Sequence, residues 1–388
     1  MTFKQIKTII RFRLNLILNT VFDVFSFCFE YRTIRKISEK IKLEKKLVVI
    51  VCDRYFPRAE KIAFALKNSD YKIILIHNFQ KNINHSLYEH IFAFNGKYKA
   101  YWIAKLFKPQ VYHIFSNWNF EVAEILIRKK PGKIVFDDYD VLAGMVKNNY
   151  INSRLPGTLE KERFCLENAD GLCCRSIEIQ YAKRNMGYKL KGIKNIFFPE
   201  YVWVAPETNV NKITKQNTIA YAGGIDIAIM TKFAKTIGEI NWNLDIYSTI
   251  PIEKIKKLIP DNISVFDKID NQLLIERIKE YPLALQVPLD IKDIDESVVY
   301  TANKKQYAMS GKMFDYIQAN RTVIVSELVL ISWLLKRYNF ALLIDENNYF
   351  ADLNMKILNY KYLNRNPAIN NLTISVQIKR LIHFYSSI

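Results

Sequence analysis

Short apolar runs alternate with amphipathic stretches from residue 47 onward. Leu47–Cys52 is a continuous run of six apolar residues, typical of a strand buried on both faces of a parallel sheet. Further strands, each following a helical segment, are predicted at Lys72–His77, Val111–Phe115, Lys133–Phe136 and Gly171–Cys174. Strands that alternate with helices indicate an open α/β sheet with right-handed crossovers.

The same pattern starts again after a stretch at Asn195–Pro206 that has the character of a connector. The second series of predicted strands is Thr218–Ala222, Leu244–Tyr247, Ser264–Phe266, Leu283–Val287, Thr322–Val325 and Leu342–Ile344. Two Rossmann-like domains in tandem are therefore expected, at residues 47–206 and 207–388, the second ending in a C-terminal helix. Sheets of this kind bind ligands beyond the carboxyl ends of their strands, and the expected place is a cleft between the domains.

The segment before these domains, residues 1–46, is basic. Within it, residues 1–30 predict an amphipathic helix, in which apolar and basic residues interleave at helical spacing: Ile6, Ile9, Ile10, Leu14, Ile17 and Leu18 with Lys4, Lys7, Arg11 and Arg13. Such a helix can lie in the plane of an anionic membrane. The alternatives are a helix packed on the protein's own body and a helix that pairs with another copy.

Composition supports two well-packed domains, because half of the 388 residues are hydrophobic. The formal net charge is +19, and almost all of the excess lies in residues 1–206. A positive surface there can face anionic lipid, nucleic acid or an anionic substrate. A lysine-rich composition imposed by an AT-rich genome is the alternative, although it does not explain the asymmetry.

The five cysteines have neither the number nor the spacing of a disulfide framework or a zinc site. The five histidines likewise show no metal-binding spacing, so no metal is predicted. The sequence has no secretory signal. It also has no stretch of about 18 residues that is free of charged or strongly polar groups, as a transmembrane helix would need. These features predict a protein of the reducing cytoplasm.

Two glycines follow the first predicted strand of the second domain, in the sequence Tyr-Ala-Gly-Gly at residues 221–224. Gly223 and Gly224 would let the backbone approach a ligand, and the following helix would offer N–H groups to a phosphate. A purely steric reason for the glycines is the alternative. The G-x-G-x-x-G fingerprint of NAD-binding domains is absent.

A second motif covers residues 310–325, with a helix from Lys312 to Ala319, a turn at Asn320–Arg321 and a buried strand. Here the chain resembles the retaining GT-B glycosyltransferases of family 4. Those enzymes carry a Lys or Glu, then Glu-Tyr, a small-residue turn and a Pro-Val strand in about this register. The resemblance extends loosely over residues 47–345.

The resemblance implies a nucleotide-sugar donor bound by the second domain and an acceptor bound by the first. Gly223 and Gly224 would face the donor diphosphate, Lys312 would lie near the phosphates or the sugar, and Asp315 would bind the ribose. The chemistry is consistent, because a cation neutralises the leaving diphosphate and a carboxylate accepts hydrogen bonds from two hydroxyls. The alternative for Lys312 and Asp315 is a solvated pair on one helix.

Two departures from the family pattern bear on catalysis. The first of the family's two glutamates falls on Tyr307, and the family's histidine in the first domain falls on Tyr139. The acids around that position are candidate catalytic residues: Asp137, Asp138 and Asp140. Capping of a helix is their alternative use. Asp53, Arg54 and Arg58 follow the first strand and are candidates to line the cleft or bind an anionic acceptor.

The predicted function is transfer of a sugar from a nucleotide sugar to a bacterial surface saccharide or a lipid-linked acceptor. The enzyme would be peripheral on the cytoplasmic face of the inner membrane, and the resemblance implies retention of configuration. The missing glutamate and histidine favour one alternative, a non-catalytic partner of another glycosyltransferase. A nucleotide-sugar epimerase or hydrolase is a second alternative. No nucleic-acid-binding signature is present.

Overall fold

The computed structural model divides the chain into two compact units. Unit 1 comprises residues 1–199 and 378–388, and unit 2 comprises residues 200–377. The structure describes residues 3–41, 46–54, 57–78, 83–148, 150–151, 156–206, 213–224, 227–248, 260–286, 301, 307, 309–327, 330, 332–362 and 364–388, without the side chains of residues 3–17, 19 and 346. This description does not include the side chains from Lys4 to Ile17, which the sequence assigns to an amphipathic helix. It also does not include Val287, the last residue of a predicted strand.

Unit 1 contains a seven-stranded parallel sheet. Its strands are β1 (Leu47–Cys52), β2 (Lys72–Asn78), β3 (His90–Phe94), β4 (Val111–Ser116), β5 (Ile134–Asp138), β6 (Gly171–Cys174) and β7 (Lys194–Phe197). They are ordered β3-β2-β1-β4-β5-β6-β7. All residues of the central strands β1, β4 and β5 are buried, as the continuous apolar run at β1 predicts.

Helix α1 (Phe3–Ile41) precedes the first strand. The helices between the strands are α2 (Pro57–Lys67), α3 (Lys97–Leu106), α4 (Glu121–Lys129), α5 (Thr158–Asn168) and α6 (Glu178–Asn185). The N-terminal helix is therefore longer than the predicted 1–30. None of the described helices has the length and apolarity needed to cross a bilayer.

Unit 2 repeats the same topology. Its strands are β8 (Thr218–Ala222), β9 (Asn243–Ser248), β10 (Ile263–Asp267), β11 (Leu283–Leu285), β12 (Thr322–Ser326) and β13 (Ala341–Ile344), in the order β10-β9-β8-β11-β12-β13. Its helices are α7 (Ile227–Gly238), α8 (Asn271–Ile278), α9 (Lys312–Gln318), α10 (Ser332–Arg337) and α11 (Tyr349–Leu358). Both sheets follow the Rossmann order, and the strand order reverses between β1 and β4 and between β8 and β11.

The C-terminal helix α12 (Ile374–Ser387) belongs mostly to unit 1. This differs from the expected division, which placed the junction after residue 206 and the C-terminal helix with the second domain. The contacts give the reason: the Tyr385 hydroxyl lies 2.6 Å from Nδ1 of His113 in β4. A Cβ at Gly171 of β6 would lie 2.8 Å from the Phe384 ring, so the helix packs directly on this sheet.

Candidate functional site

The glycine turn of unit 2 lies at the carboxyl end of β8, beside the point where the strand order reverses. Three hydrogen bonds between described residues hold it. The N–H of Gly223 donates to the carbonyl of Tyr247 (3.0 Å), and the Tyr221 hydroxyl donates to the carbonyl of Gly224 (2.7 Å). The N–H of Ala222 donates to the Tyr316 hydroxyl (2.9 Å). Since Tyr316 belongs to α9, the structure joins the glycine turn to the helix that carries Lys312 and Asp315.

The two glycines of this turn differ in their surroundings. A Cβ at Gly223 would lie 2.5 Å from the Tyr221 hydroxyl oxygen, whereas a Cβ at Gly224 would meet no atom of the described residues within 4 Å. The N–H of Gly223 also donates to the carbonyl of Tyr247, so this group is not available to a phosphate. Sterics therefore explain Gly223, and Gly224 is the glycine with room for a ligand.

Alanine at each glycine tests this difference. Gly223→Ala is expected to lower the free energy of unfolding by about 1–3 kcal/mol, the usual effect of overpacking. Gly224→Ala is expected to change it by less than about 0.5 kcal/mol and to weaken binding of a nucleoside diphosphate. Urea unfolding and ligand titration of both variants measure the two effects. Equal stability losses would contradict the steric assignment.

Asp315 is buried within α9, and Nδ2 of Asn271 donates to its Oδ1 (3.1 Å). Lys312, the first residue of α9, is half-buried, and within the described part of the chain it forms no ion pair with Asp315. A solvated lysine–carboxylate pair is therefore not what the structure shows. The carboxylate is instead held by an amide from α8, a residue that the sequence did not single out.

Glu200 is a further acid that the sequence did not indicate. It is buried, and its Oε2 would lie 2.6 Å from a Cβ at Gly311, so its carboxylate rests against the residue that precedes Lys312. The family's first glutamate falls on Tyr307, and Glu200 brings a carboxylate to the same motif from elsewhere in the chain. No sequence signal marks it, because it lies in the segment interpreted as a connector.

Asp137, at the carboxyl end of β5, is part of a buried ion-pair network in unit 1. Nε of Arg58 donates to its Oδ2 (2.8 Å), and Nη2 of the same guanidinium donates to Sγ of Cys173 (3.3 Å). Burial alone would raise the pKa of Asp137, but the charge of Arg58 and the contact with His113 lower it below its ordinary value. Arg58, expected at an acceptor site, lies in the core instead.

His113 links this network to the C-terminal helix. Its Nε2 lies 3.4 Å from Oδ2 of Asp137 and its Nδ1 lies 2.6 Å from the Tyr385 hydroxyl. Burial lowers the pKa of His113 and raises that of Tyr385, so the histidine is neutral and the phenol protonated. With the proton on Nε2, Tyr385 donates to Nδ1, and the Nε2–H group lies close to Asp137 without forming a hydrogen bond of normal geometry.

The ligand atoms of His113, Asp137 and Cys173 lie within 4.8 Å of one another, a spacing that could hold a metal ion. Arg58 already donates to two of these three residues, Asp137 and Cys173. The guanidinium thus supplies the positive charge that a metal would bring. The donor set fits an ion-pair network better than a metal site.

Asp138 and Asp140 have different surroundings. Asp138 is buried and lines a small cavity with Arg175 and Ser176. Burial, followed by the charges of nearby carboxylates, raises its pKa well above its ordinary value. Asp140 retains 14% exposure of its side chain and pairs with Arg175, while Nδ2 of Asn117 donates to its Oδ2 (3.3 Å). Of the three candidate acids, Asp140 is the most accessible.

The residue at the position of the family's histidine, Tyr139, supports Arg175. The Arg175 guanidinium lies 4.1 Å from the centre of the Tyr139 ring, and its Nε donates to the Tyr139 carbonyl (2.6 Å). Tyr139 therefore helps to hold the arginine that pairs with Asp140.

Asp53 lies at the switch point of unit 1, directly after β1. Burial raises its pKa to about 7, and the N–H of Asn117, after β4, approaches its Oδ2 at 3.4 Å. A carboxyl group that titrates near neutrality at the carboxyl end of a central strand is suited to proton transfer. Its position after a buried strand was the only sequence signal for it.

The sequence matches no family model and no curated protein. Among solved structures, the chain is similar to the glycosyltransferase AviGT4 of avilamycin A biosynthesis, with a TM-score of 0.51, 7% identity, and coverage of 88% of this chain and 97% of that one. It is also similar to UDP-GlcNAc 2-epimerase from Methanocaldococcus jannaschii in complex with UDP-GlcNAc and UDP, with a TM-score of 0.48, 11% identity, and coverage of 87% and 99%. A third similar structure is the wall teichoic acid polymerase TagF, with a TM-score of 0.46 and 13% identity. The match covers 96% of this chain and 98% of that one.

The likeness to AviGT4 and the two sheets of Rossmann order confirm the predicted fold class. The chain has two tandem Rossmann-like units of the GT-B type. At this level of identity the likeness shows the fold alone.

Proposed function

We propose that this protein is a glycosyltransferase related to family 4, which uses a nucleoside-diphosphate sugar as donor. The observation that carries the proposal is the connection made by Tyr316. Its hydroxyl ties α9 to the end of β8, so Lys312 and Asp315 are held on the helix that braces the Gly223–Gly224 turn. A cation, a buried oriented carboxylate and an open glycine are what a sugar nucleotide requires.

Each group has a proposed role in the transfer. The bond between the anomeric carbon and the diphosphate oxygen breaks, and Lys312 stabilises the charge that develops on the leaving diphosphate. Asp315, oriented by Asn271, accepts hydrogen bonds from the ribose hydroxyls, and Gly224 allows close approach of the diphosphate. The acceptor hydroxyl forms the new bond to the anomeric carbon and gives its proton to a base. Retention of configuration is part of the proposal and follows from the family resemblance.

In unit 1 we propose that Asp138 and Asp140 serve the acceptor, because Asp138 ends β5 and Asp140 follows it at the carboxyl edge of the sheet. Asp137 is proposed to have a structural role, since its carboxylate pairs with Arg58 and lies against His113. The acceptor class is a bacterial surface saccharide or a lipid-linked saccharide, and the proposed location is the cytoplasmic face of the inner membrane. The positive charge concentrated in residues 1–206 supports an anionic acceptor or surface.

Thermal unfolding with UDP, GDP, CDP, TDP and ADP tests the donor site. A diphosphate at about 100 times its dissociation constant should add about 2.7 kcal/mol to the unfolding free energy, a rise of several degrees in Tm. Lys312→Ala is expected to remove most of this shift. Lys356→Ala is the matched control, because Lys356 lies on another helix of unit 2 and pairs with Asp352.

A shift with one diphosphate that Lys312→Ala abolishes and Lys356→Ala preserves would identify the base of the donor. No shift with any diphosphate would contradict the donor site. Binding without sugar transfer to any saccharide or lipid-linked acceptor would favour a non-catalytic partner protein.

A further inference from the structure

Helix α1 is fixed to unit 1 along one side. Asp23 is fully buried and its carboxylate accepts hydrogen bonds from the N–H groups of Asn95 (3.2 Å) and Lys99 (3.4 Å), at the start of α3. The Phe27 ring lies 5.5 Å from that of Trp102, and Nζ of Lys99 pairs with Glu30 (2.9 Å). These contacts set the rotation of α1 about its own axis.

The opposite side of α1 is apolar and exposed. Leu18, Phe22, Phe25 and Phe29 follow one another at spacings of three and four residues, with exposures of 57%, 57%, 63% and 84%. Val21 and Val24 extend this surface, with exposures of 46% and 42%. The stripe from Leu18 to Phe29 is about 16 Å long at 1.5 Å per residue. Three phenylalanines exposed in one row on a helix indicate an interaction surface.

Charge along the same helix indicates what covers this stripe. The exposed basic residues Arg32, Arg35, Lys36 and Lys40 follow it on the next turns. Asp23, the only acid within residues 18–29, turns inward to cap α3. Glu39 pairs with Arg35. Apolar side chains followed by a basic segment suit an anionic bilayer, which takes up the rings and attracts the lysines and arginines. A second copy of the same helix packed in parallel would bring like charges together.

We propose that the outward face of α1, from Leu18 to Lys40, docks on an anionic lipid bilayer with the helix axis in the membrane plane. Because Asp23 and Phe27 lock α1 onto α3, docking fixes the orientation of all of unit 1 against the membrane. This inference goes beyond the transferase reaction and does not depend on it. An experiment can therefore contradict membrane docking without contradicting the transferase function, and the reverse.

Cys28 offers a native reporter beside the stripe. It is exposed, whereas Cys52, Cys165 and Cys173 are buried and Cys174 is half-buried. An environment-sensitive fluorophore on Cys28 of the full chain is expected to shift to the blue with vesicles that contain phosphatidylglycerol. Pure phosphatidylcholine vesicles should bind at least about tenfold more weakly. No spectral shift with phosphatidylglycerol vesicles would overturn the proposal.

The variant F22S/F25S/F29S is expected to reduce sedimentation with phosphatidylglycerol vesicles by at least about tenfold. Its Tm should not change, because the replaced rings are exposed. M355S/L358S is the matched control, since Met355 and Leu358 are exposed apolar residues of a helix in unit 2. Unchanged vesicle binding in the triple variant, or a wild-type dimer that this variant dissociates, would overturn membrane docking. Nucleoside diphosphate binding by the same variants reports the donor site independently.

Discussion

Replacing Arg58 with methionine is expected to lower the free energy of unfolding of unit 1 by about 3–5 kcal/mol. The guanidinium is the cation that donates to the fully buried Asp137, at 2.8 Å. Methionine fills a similar volume but leaves the carboxylate in a buried site without its cation, next to the Cys173 thiol and 3.4 Å from Nε2 of neutral His113. Either the carboxylate remains charged at a high cost or it takes up a proton, and both outcomes weaken the folded state.

The buried thiols of unit 1 allow this loss to be measured without interference from unit 2. Cys52, Cys165 and Cys173 are buried and lie in unit 1. In a background without the exposed Cys28 and the half-buried Cys174 (C28S/C174S), their reactivity across a urea titration reports the unfolding of unit 1. Lys72→Met is the matched control, because Lys72 and Glu89 form an exposed pair at 3.4 Å that contributes about 0–1 kcal/mol. A cost below about 1 kcal/mol for Arg58→Met would contradict the structural role of Asp137 and leave that acid available for catalysis.

Most of the fold follows from the sequence because parallel strands buried on both faces are continuous apolar runs. Leu47–Cys52 and Gly171–Cys174 were predicted with the bounds that the structure has. The sequence prediction missed both edge strands of unit 1, His90–Phe94 and Lys194–Phe197. The second begins with the exposed residues Lys194 and Asn195 and therefore gives no continuous apolar run. The assignment of α12 to unit 1 was missed for another reason. Its partner His113 is 272 residues away from Tyr385, and no local pattern encodes so distant a contact.

The candidate site was only partly accessible to the sequence. The resemblance to family 4 indicated Asp315, and the glycine pair directly after a predicted strand indicated Gly224. Neither feature gave a sign of Asn271, which holds Asp315, or of Glu200, which lies against Gly311. Such partners come from distant parts of the chain and meet only through the sheet topology. The same limit applies to Asp137, where three acids in four residues were indistinguishable until Arg58 was placed beside one of them.

Replacing Asp315 with alanine is expected to weaken nucleoside diphosphate binding by about 10²–10⁴-fold. Two hydrogen bonds from ribose hydroxyls to a carboxylate contribute about 1.5–3 kcal/mol each, and every 1.4 kcal/mol is tenfold in affinity. Asp352→Ala is the matched control, because Asp352 is an acid in the first turn of α11 in the same unit and pairs with Lys356. Thermal unfolding without ligand shows whether each variant is folded.

A sharper test of Asp315 compares a nucleoside diphosphate with the same compound lacking the ribose 2′-hydroxyl. In the wild type, a diphosphate that lacks the ribose 2′-hydroxyl should bind at least about tenfold more weakly than its parent, because one hydrogen bond to the charged carboxylate is lost. In Asp315→Ala the two ligands should bind equally, since no carboxylate remains to distinguish them. If the variant still discriminates as the wild type does, another group binds the ribose. Equal binding of both ligands by the wild type would show that the 2′-hydroxyl is not recognised, and the donor geometry proposed for α9 would be wrong.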